Sequence, residues 1–344
     1  TLVFRGVHAR NLQIDEITVP LQRFTVVTGV SGSGKSTFCR EVLFENLSRR
    51  LKDAQAPLVG TDQLTGFENV GRVLEVDQTP IGKNSRSCPA TYVGIMTAIR
   101  DLYAATNEAQ ARGYDASRFS FNKAVGACPV CAGQGLRTME MNFLPDVKVL
   151  CEACAGKRFN PETLEVLWRG KSIGDVLEME IDEAVDFFAS MPSIAYPLKL
   201  MQDVGLGYLT LGQPSPTLSG GEAQRLKLVT ELAKVRTDGS FAARAPHTLY
   251  VLDEPTVGLH MTDVDRLSKV LSRLVDAGST VVVIEHNLDI AADADWIIDL
   301  GPEGGAKGGK VVAQGSPKMV ARKNTATGIV LRAFLAEHKP VKST

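Results

Sequence analysis

One segment restricts the fold more than any other. Residues 24–51, "FTVVTGVSGSGKSTFCREVLFENLSRRL", pass from an apolar strand pattern through crowded glycines into helical spacing. Phe38, Val42, Leu43, Leu47 and Leu51 recur at the period of a helix with one buried face. Between strand and helix, residues 29–36 fit G-x-x-x-x-G-K-[ST]. Glycine at 29, 32 and 34 permits the positive φ values that turn successive backbone N–H groups inward, forming a nest for phosphate oxygens. Lys35 can then reach the β- and γ-phosphates of ATP, and Ser36 can offer its hydroxyl to Mg²⁺. The helix beginning near Lys35 adds its positive end. Candidate ATP and Mg²⁺ ligands are therefore Gly29, Ser31, Gly32, Ser33, Gly34, Lys35, Ser36 and Thr37.

Further along, apolar strand patterns alternate with helical ones, which argues for an α/β protein with a mostly parallel sheet covered by helices. "TLYVLDEP" ends in two acids. Asp253 would hold Mg²⁺ through water, and Glu254 would orient or deprotonate the attacking water. His286 closes "VVVIEH" and Gln78 closes "VLEVDQ". If both strands end on the same edge, His286 meets the γ-phosphate and Gln78 meets Mg²⁺ or water. Glu254, His286 and Gln78 are thus the candidate catalytic residues.

The second constraint is a cysteine pattern. Cys128-x₂-Cys131, nineteen residues, then Cys151-x₂-Cys154 matches the spacing of a four-thiolate zinc site. Four protein ligands leave no open position, so Zn²⁺ here would be structural. Gly133 and Gly135 suit tight knuckles around the metal. "LRTMEMNFLPDVKVL" between the pairs alternates and breaks at Pro145 and Asp146, which predicts a hairpin with Arg137, Met139, Met141 and Phe143 on one face. Residues 118–158 carry six basic side chains, Arg118, Lys123, Arg137, Lys148, Lys157 and Arg158, against three acidic ones. Residues 78–100 add Lys83, Arg86 and Arg100 with no acid. Such patches suit a phosphate backbone without base specificity. They make Lys83, Arg86, Arg118, Lys123, Arg137 and Lys148 candidate contacts to double-stranded DNA.

"LSGGEAQR" opens a second helix on a Ser-Gly-Gly turn, another anion-binding end without a lysine. Phosphate loop, "LSGGE", "VLDEP", "TVGLH" and "IEH" in this order resemble the ATP-binding cassette superfamily. That resemblance implies that Ser219, Gly220 and Gly221 close over ATP held by a second cassette, and that hydrolysis needs two cassettes. "VDQTPIGKNSRSCPATYVG", "FLPDVKVLCEACAGKRFNPETLEV" and "IDLGPEGGAKGGKVVAQG" resemble, more narrowly, the second half of the UvrA family of damage-sensing repair ATPases. Lys83 and Ser85 depart from the Arg and Pro expected there, and Lys83 lacks the bidentate fork of arginine. The implied fold is an ABC-type P-loop ATPase with a helical signature domain and an inserted small zinc-binding module. Expected boundaries are a core over 1–85 and 216–344, and a signature region over 86–215 containing the zinc module at about 117–160. The implied partners are damaged duplex DNA, a second cassette (its own first half or another copy) and a UvrB-like protein.

Composition narrows the rest. A net charge of −1 gives no global affinity for nucleic acid, so DNA binding must rest on local patches. Six cysteines are too few for a disulfide scaffold in 344 residues. There is no membrane-spanning apolar run and no secretory start, so a cytoplasmic protein is expected, and Thr1 in place of Met reads as an excised part of something longer. Rival readings are a transporter's nucleotide-binding subunit and a UvrA-like resistance protein acting on drug-bound DNA. Phe4 is the expected platform for adenine.

Overall fold

Every residue of Phe24–Gly29 and of Thr280–Ile284 is buried. Runs without a solvent face belong in the middle of a parallel sheet with both sides covered. The structure, a computed structural model, describes residues 1–82, 84–139, 147–234 and 247–337. It divides into two compact units, Thr1–Asp77 with Val235–Thr344, and Gln78–Lys234. The first unit begins with β1 (Leu2–Val7), β2 (Ile14–Val19), β3 (Phe24–Gly29), β4 (Thr61–Thr65) and β5 (Arg72–Val76). The second contains β6 (Leu136–Met139), β7 (Val147–Leu150), β8 (Leu167–Trp168) and β9 (Lys171–Ser172). The chain then returns to the first unit with β10 (Thr248–Asp253), β11 (Thr280–Ile284), β12 (Trp296–Gly301) and β13 (Lys310–Gly315).

In the first unit a six-stranded sheet has the order β13-β12-β3-β11-β10-β5, parallel except for β13. Asp253 pairs with Ile284, and Ile284 with Val27, so β3, β10 and β11 end on one edge. That edge is where the phosphate loop emerges. A three-stranded antiparallel sheet, β2-β1-β4, packs into the same core as Phe38, Val42 and Leu43 from the helix after the loop. That helix is wide-turned over Thr37–Phe44, with the Glu45 N–H reaching back five residues to the Arg40 carbonyl, and α-helical over Glu45–Arg50. Such local widening favours functional sites. Phe4 is fully buried, edge-on to Phe38 with ring centres 5.9 Å apart, and cannot serve as the adenine platform. Strand alternation put Phe4 on one face of β1 without revealing that this face is the core side.

The second unit is mainly helical. Helix Gly220–Leu232 buries Ala223, Leu226, Leu228 and Val229 and packs on helices Pro192–Asp203 and Pro89–Tyr92. The two compact units divide at 77/78 and 234/235, which places the helix Gly220–Leu232 in the same unit as the four cysteines. β6 and β7 pair antiparallel, Leu136 with Leu150 and Met139 with Val147, as the cysteine-flanked alternation predicts. Met141, Phe143, Pro145, Asp146 and Lys83 lie outside the described residues. No helix among the described residues is long and apolar enough to cross a membrane.

Candidate functional site

Gly29, Gly32 and Gly34 adopt φ of 133°, 75° and 97°, the left-handed side that the loop needs and that side chains resist. A Cβ on Gly29 would lie 1.9 Å from the Leu300 carbonyl oxygen, so glycine there is also a packing requirement. Lys35 is buried, and its Nζ donates to the carbonyls of Gly29 and Val30 at 3.0 and 2.9 Å. Burial lowers its pKa, opposed by Glu254 and then Asp253. Ser33 is fully buried, and its hydroxyl meets no partner among the described residues. Ser31, Gly32 and Ser36 are exposed. A lysine resting on the loop's own carbonyls, an orphaned hydroxyl and a turn of left-handed glycines fit a phosphate chain.

The acids arrive from β10. Asp253 receives Arg40 Nη2 at 3.1 Å, and Arg40 Nε in turn meets Glu75 at 2.6 Å. Glu254 sits at φ 44°, an uncommon backbone state for a side-chain-bearing residue, with its N–H held by the Ile284 carbonyl at 2.9 Å. Its carboxylate lies 3.7 Å from His286 Nε2, and both side chains are nearly half exposed. Thus Lys35, Asp253, Glu254 and His286 come together on the predicted edge. Glu285 was missed by the sequence reading. It is 2% exposed, accepts from the Thr256 N–H and hydroxyl at 2.9 and 2.5 Å, and from the His286 and Asn287 N–H groups at 2.9 and 3.2 Å. One buried carboxylate therefore ties the loop after β10 to the loop after β11. The only sequence signal was an acid ending an otherwise apolar strand.

In the second unit, Ser219 caps its helix reciprocally: Glu222 N–H donates to Ser219 Oγ at 3.3 Å, and Ser219 N–H to Glu222 Oε2 at 2.7 Å. Tyr208 donates its hydroxyl to the other Glu222 oxygen at 2.5 Å. Ser219 is exposed, with Gly220 and Gly221 behind it half-buried. Gln78 falls in this unit, where a Cβ on Gly220 would lie 3.1 Å from the Gln78 Cβ.

The four cysteines converge. Their Sγ atoms all lie within 4.8 Å of one another, with Cys128 to Cys151 at 3.9 Å and Cys131 to Cys154 at 3.7 Å. Zinc–sulfur bonds of about 2.3 Å in a tetrahedron demand sulfurs about 3.8 Å apart, so the donor set fits Zn²⁺. Both halves repeat Cys-Ala-Gly, with left-handed Ala132, Gly133 and Gly135 matched by Ala155, Gly156 and Arg158. Gly135 N–H donates to Cys131 Sγ at 3.3 Å, and Arg158 N–H plays the same part at Cys154. Without a cation, burial raises the Cys131 thiol and pushes Cys154 up to about 12, the expected cost of crowding thiolates away from water.

Several basic side chains of the patch have partners inside the unit. Arg158 is 5% exposed and donates to the carbonyls of Ser85 and Gly212 at 3.0 and 2.6 Å. Arg118 lies over Tyr114 and donates to Thr163 at 2.9 Å, Lys157 pairs with Asp175 at 2.6 Å, and Arg86 donates to the Ala132 carbonyl at 2.9 Å. These side chains are engaged within the unit, Arg158 buried and Arg118 and Arg86 half-buried. Lys123, Arg137 and Lys148 are exposed. Because Arg137 pairs with Val149 and Lys148 with Thr138, the two hairpin cations point to opposite faces.

No family model matches the chain. It is 56% identical over 335 residues to UvrABC system protein A of Thermus thermophilus, covering 97% of this chain and 34% of that protein. The counterpart from Aquifex aeolicus is 53% identical over 326 residues, covering 94% of this chain and 34% of its own length. Nearly all of this chain is homologous to about one third of a UvrA protein. Among solved structures, UvrA2 from Deinococcus radiodurans superposes with a TM-score of 0.84 at 47% identity, over 96% of this chain and 39% of that one. The chain spans about a third of the length of the curated relatives it matches. Its fold is the α/β one expected from the sequence, a mostly parallel sheet covered by helices, with a four-cysteine module inside the second unit.

Proposed function

We propose that this chain is the ATP-hydrolysing, DNA-binding second cassette segment of a UvrA-type protein that recognises damaged or distorted duplex in excision repair. The observation that supports it most is the meeting of Lys35, Asp253, Glu254 and His286 on one sheet edge, with both acids acting electrostatically on Lys35. On this reading Lys35 leaves the carbonyls of Gly29 and Val30 for the terminal phosphates. Ser36 and Asp253 would hold Mg²⁺, which supplies charge neutralisation at the phosphate oxygens when bound. Glu254 takes a proton from the attacking water, and His286 donates a hydrogen bond to the departing phosphoryl group while orienting Glu254.

Ser219, Gly220 and Gly221 are proposed to complete a nucleotide site on a second cassette, supplied by another segment of the same protein or by a second copy. Cys128, Cys131, Cys151 and Cys154 would hold Zn²⁺ as a fixed cross-link at the foot of the hairpin. Lys123, Arg137 and Lys148 remain the proposed backbone contacts to DNA, and a UvrB-like protein the proposed partner.

Glu254→Gln should bind Mg-ATP as the parent does and lose turnover by about 100-fold or more, the usual weight of a positioned base. Equal turnover would remove the assignment.

A further inference from the structure

The glycine-rich segment after β12, "GPEGGAKGG", has no part in the chemistry above, yet it lies directly on the phosphate loop. The Gly32 carbonyl accepts two N–H groups from outside its own loop: the Gly305 amide at 3.0 Å and Asn11 Nδ2 at 3.1 Å. Asn11 Nδ2 also donates to the Gly305 carbonyl at 3.1 Å. The segment is anchored back to the same stretch by Gln13 N–H donating to the Gly309 carbonyl at 2.8 Å. Close approach is what the glycines provide. A Cβ at Gly304 would sit 2.5 Å from the Ser31 carbonyl oxygen, and one at Gly309 only 1.9 Å from that of Asn11.

The consequence is geometric. In a trans peptide the carbonyl and the following N–H point opposite ways. Holding the Gly32 carbonyl outward turns the Ser33 N–H inward, where it closes the loop on the Val30 carbonyl at 3.2 Å. Three chain segments thus set the turn before any nucleotide arrives, which removes an ordering cost from binding.

We propose that Asn11, with Gly304, Gly305 and Gly309, forms an external latch on the phosphate loop, with Asn11 a positioning residue for nucleotide phosphates. This rests on the ATP-binding reading above. The test is titration calorimetry of this chain with Mg-ADP. Asn11→Ala removes both donors, and Gly304→Ala, at φ −88° where alanine is unstrained, only wedges the segment off Ser31. Each should weaken Mg-ADP by about tenfold, the effect of a hydrogen bond or two, while the far-UV signal and cooperative melt persist. In steady-state ATPase assays the loss falls on KM rather than kcat. Lys307→Ala, on the exposed tip of the segment, keeps the parent's affinity. Should Asn11→Ala fail to fold, Asn11→Asp, of the same shape but without amide donors, carries the same expectation. A parent that does not bind Mg-ADP overturns the nucleotide reading itself. A parent that binds, with folded variants that bind equally well, overturns the latch alone.

Discussion

Replacing Arg158 by Met separates two accounts of one residue. Counted with its basic neighbours, Arg158 belongs to a DNA-facing patch. In the fold it is a buried cation donating to the Ser85 and Gly212 carbonyls, with its Cζ 5.2 Å from the centre of the Phe121 ring. Burial lowers its pKa, and the opposing influence comes from Cys88, Cys131 and Cys154 rather than from any carboxylate. Four thiolates around Zn²⁺ carry a net charge of −2, so a loaded site would be the counter-charge for this guanidinium. Charged hydrogen bonds contribute about 1.5–3 kcal/mol each, and methionine keeps most of the stem's volume. Against this stands recovery of the guanidinium's desolvation cost, several kcal/mol when uncompensated and less beside an anionic centre. The expected loss for Arg158→Met is about 3 kcal/mol with zinc and about half that after chelation. Urea unfolding followed by Trp168 fluorescence reports on the second unit alone once Trp296, in the first, is changed to Phe. Equal losses with and without metal would refute the counter-charge argument, and a loss below about 0.5 kcal/mol would refute the structural role. A phosphate-contacting arginine would instead reduce the salt slope of DNA binding by about one; no such change is expected.

Two further outcomes follow from acids of the first unit. Asp299 is 2% exposed and accepts from the Thr325 and Thr327 hydroxyls at 2.8 Å each, yet burial raises its pKa. The sign is then fixed: its contribution favours folding below the unfolded value of 3.8 and is lost as pH rises through the folded value. Asp299→Asn, which can still pair both hydroxyls, should therefore melt above the parent at neutral pH, the gap closing toward pH 4; a lower neutral melting point would contradict this. Arg40→Ala leaves Asp253 without its 3.1 Å ion pair, in a partly exposed setting where lost orientation outweighs the screened change in charge. Half-maximal ATPase should need several-fold more Mg²⁺, and an unchanged or lower requirement would dismiss Arg40 as a positioning residue.

What was legible in the sequence was legible because its cause is local. A phosphate loop is eight consecutive residues whose glycines declare their own backbone state, and a CxxC knuckle is shorter still. The hairpin between the cysteine pairs announced itself by alternation. Its consequence for Arg137 and Lys148 needed the register, since facing across strands depends on which residue pairs with which. Phe4, expected as the adenine platform, and Arg158, counted with the basic patch, are both buried, and for one reason. Residue type records what a side chain can do, whereas burial depends on segments far away: Phe38 in one case, Ser85 and Gly212 in the other. Glu285 escaped because a carboxylate ending a strand looks the same whether it faces water or ties together two loops.

Backbone strain gives an independent map of the same places. Among the described residues, seven that are not glycine have positive φ: Arg10, Gln22, Ala132, Ala155, Arg158, Arg169 and Glu254. Such states cost on the order of 1–3 kcal/mol each when the surroundings enforce them. Five of the seven fall where a function has been argued: Arg10 precedes the latch residue Asn11, Ala132, Ala155 and Arg158 shape the cysteine knuckles, and Glu254 faces His286. Local propensity would not choose these conformations, so tertiary contacts must hold them. At Glu254 the holding contact is visible in the Ile284 carbonyl, which fixes the N–H while the left-handed turn swings the carboxylate back toward the imidazole. A relaxed, extended Glu254 would continue the line of β10 away from that partner, so the strain at this residue is what puts acid and histidine within reach of one water molecule.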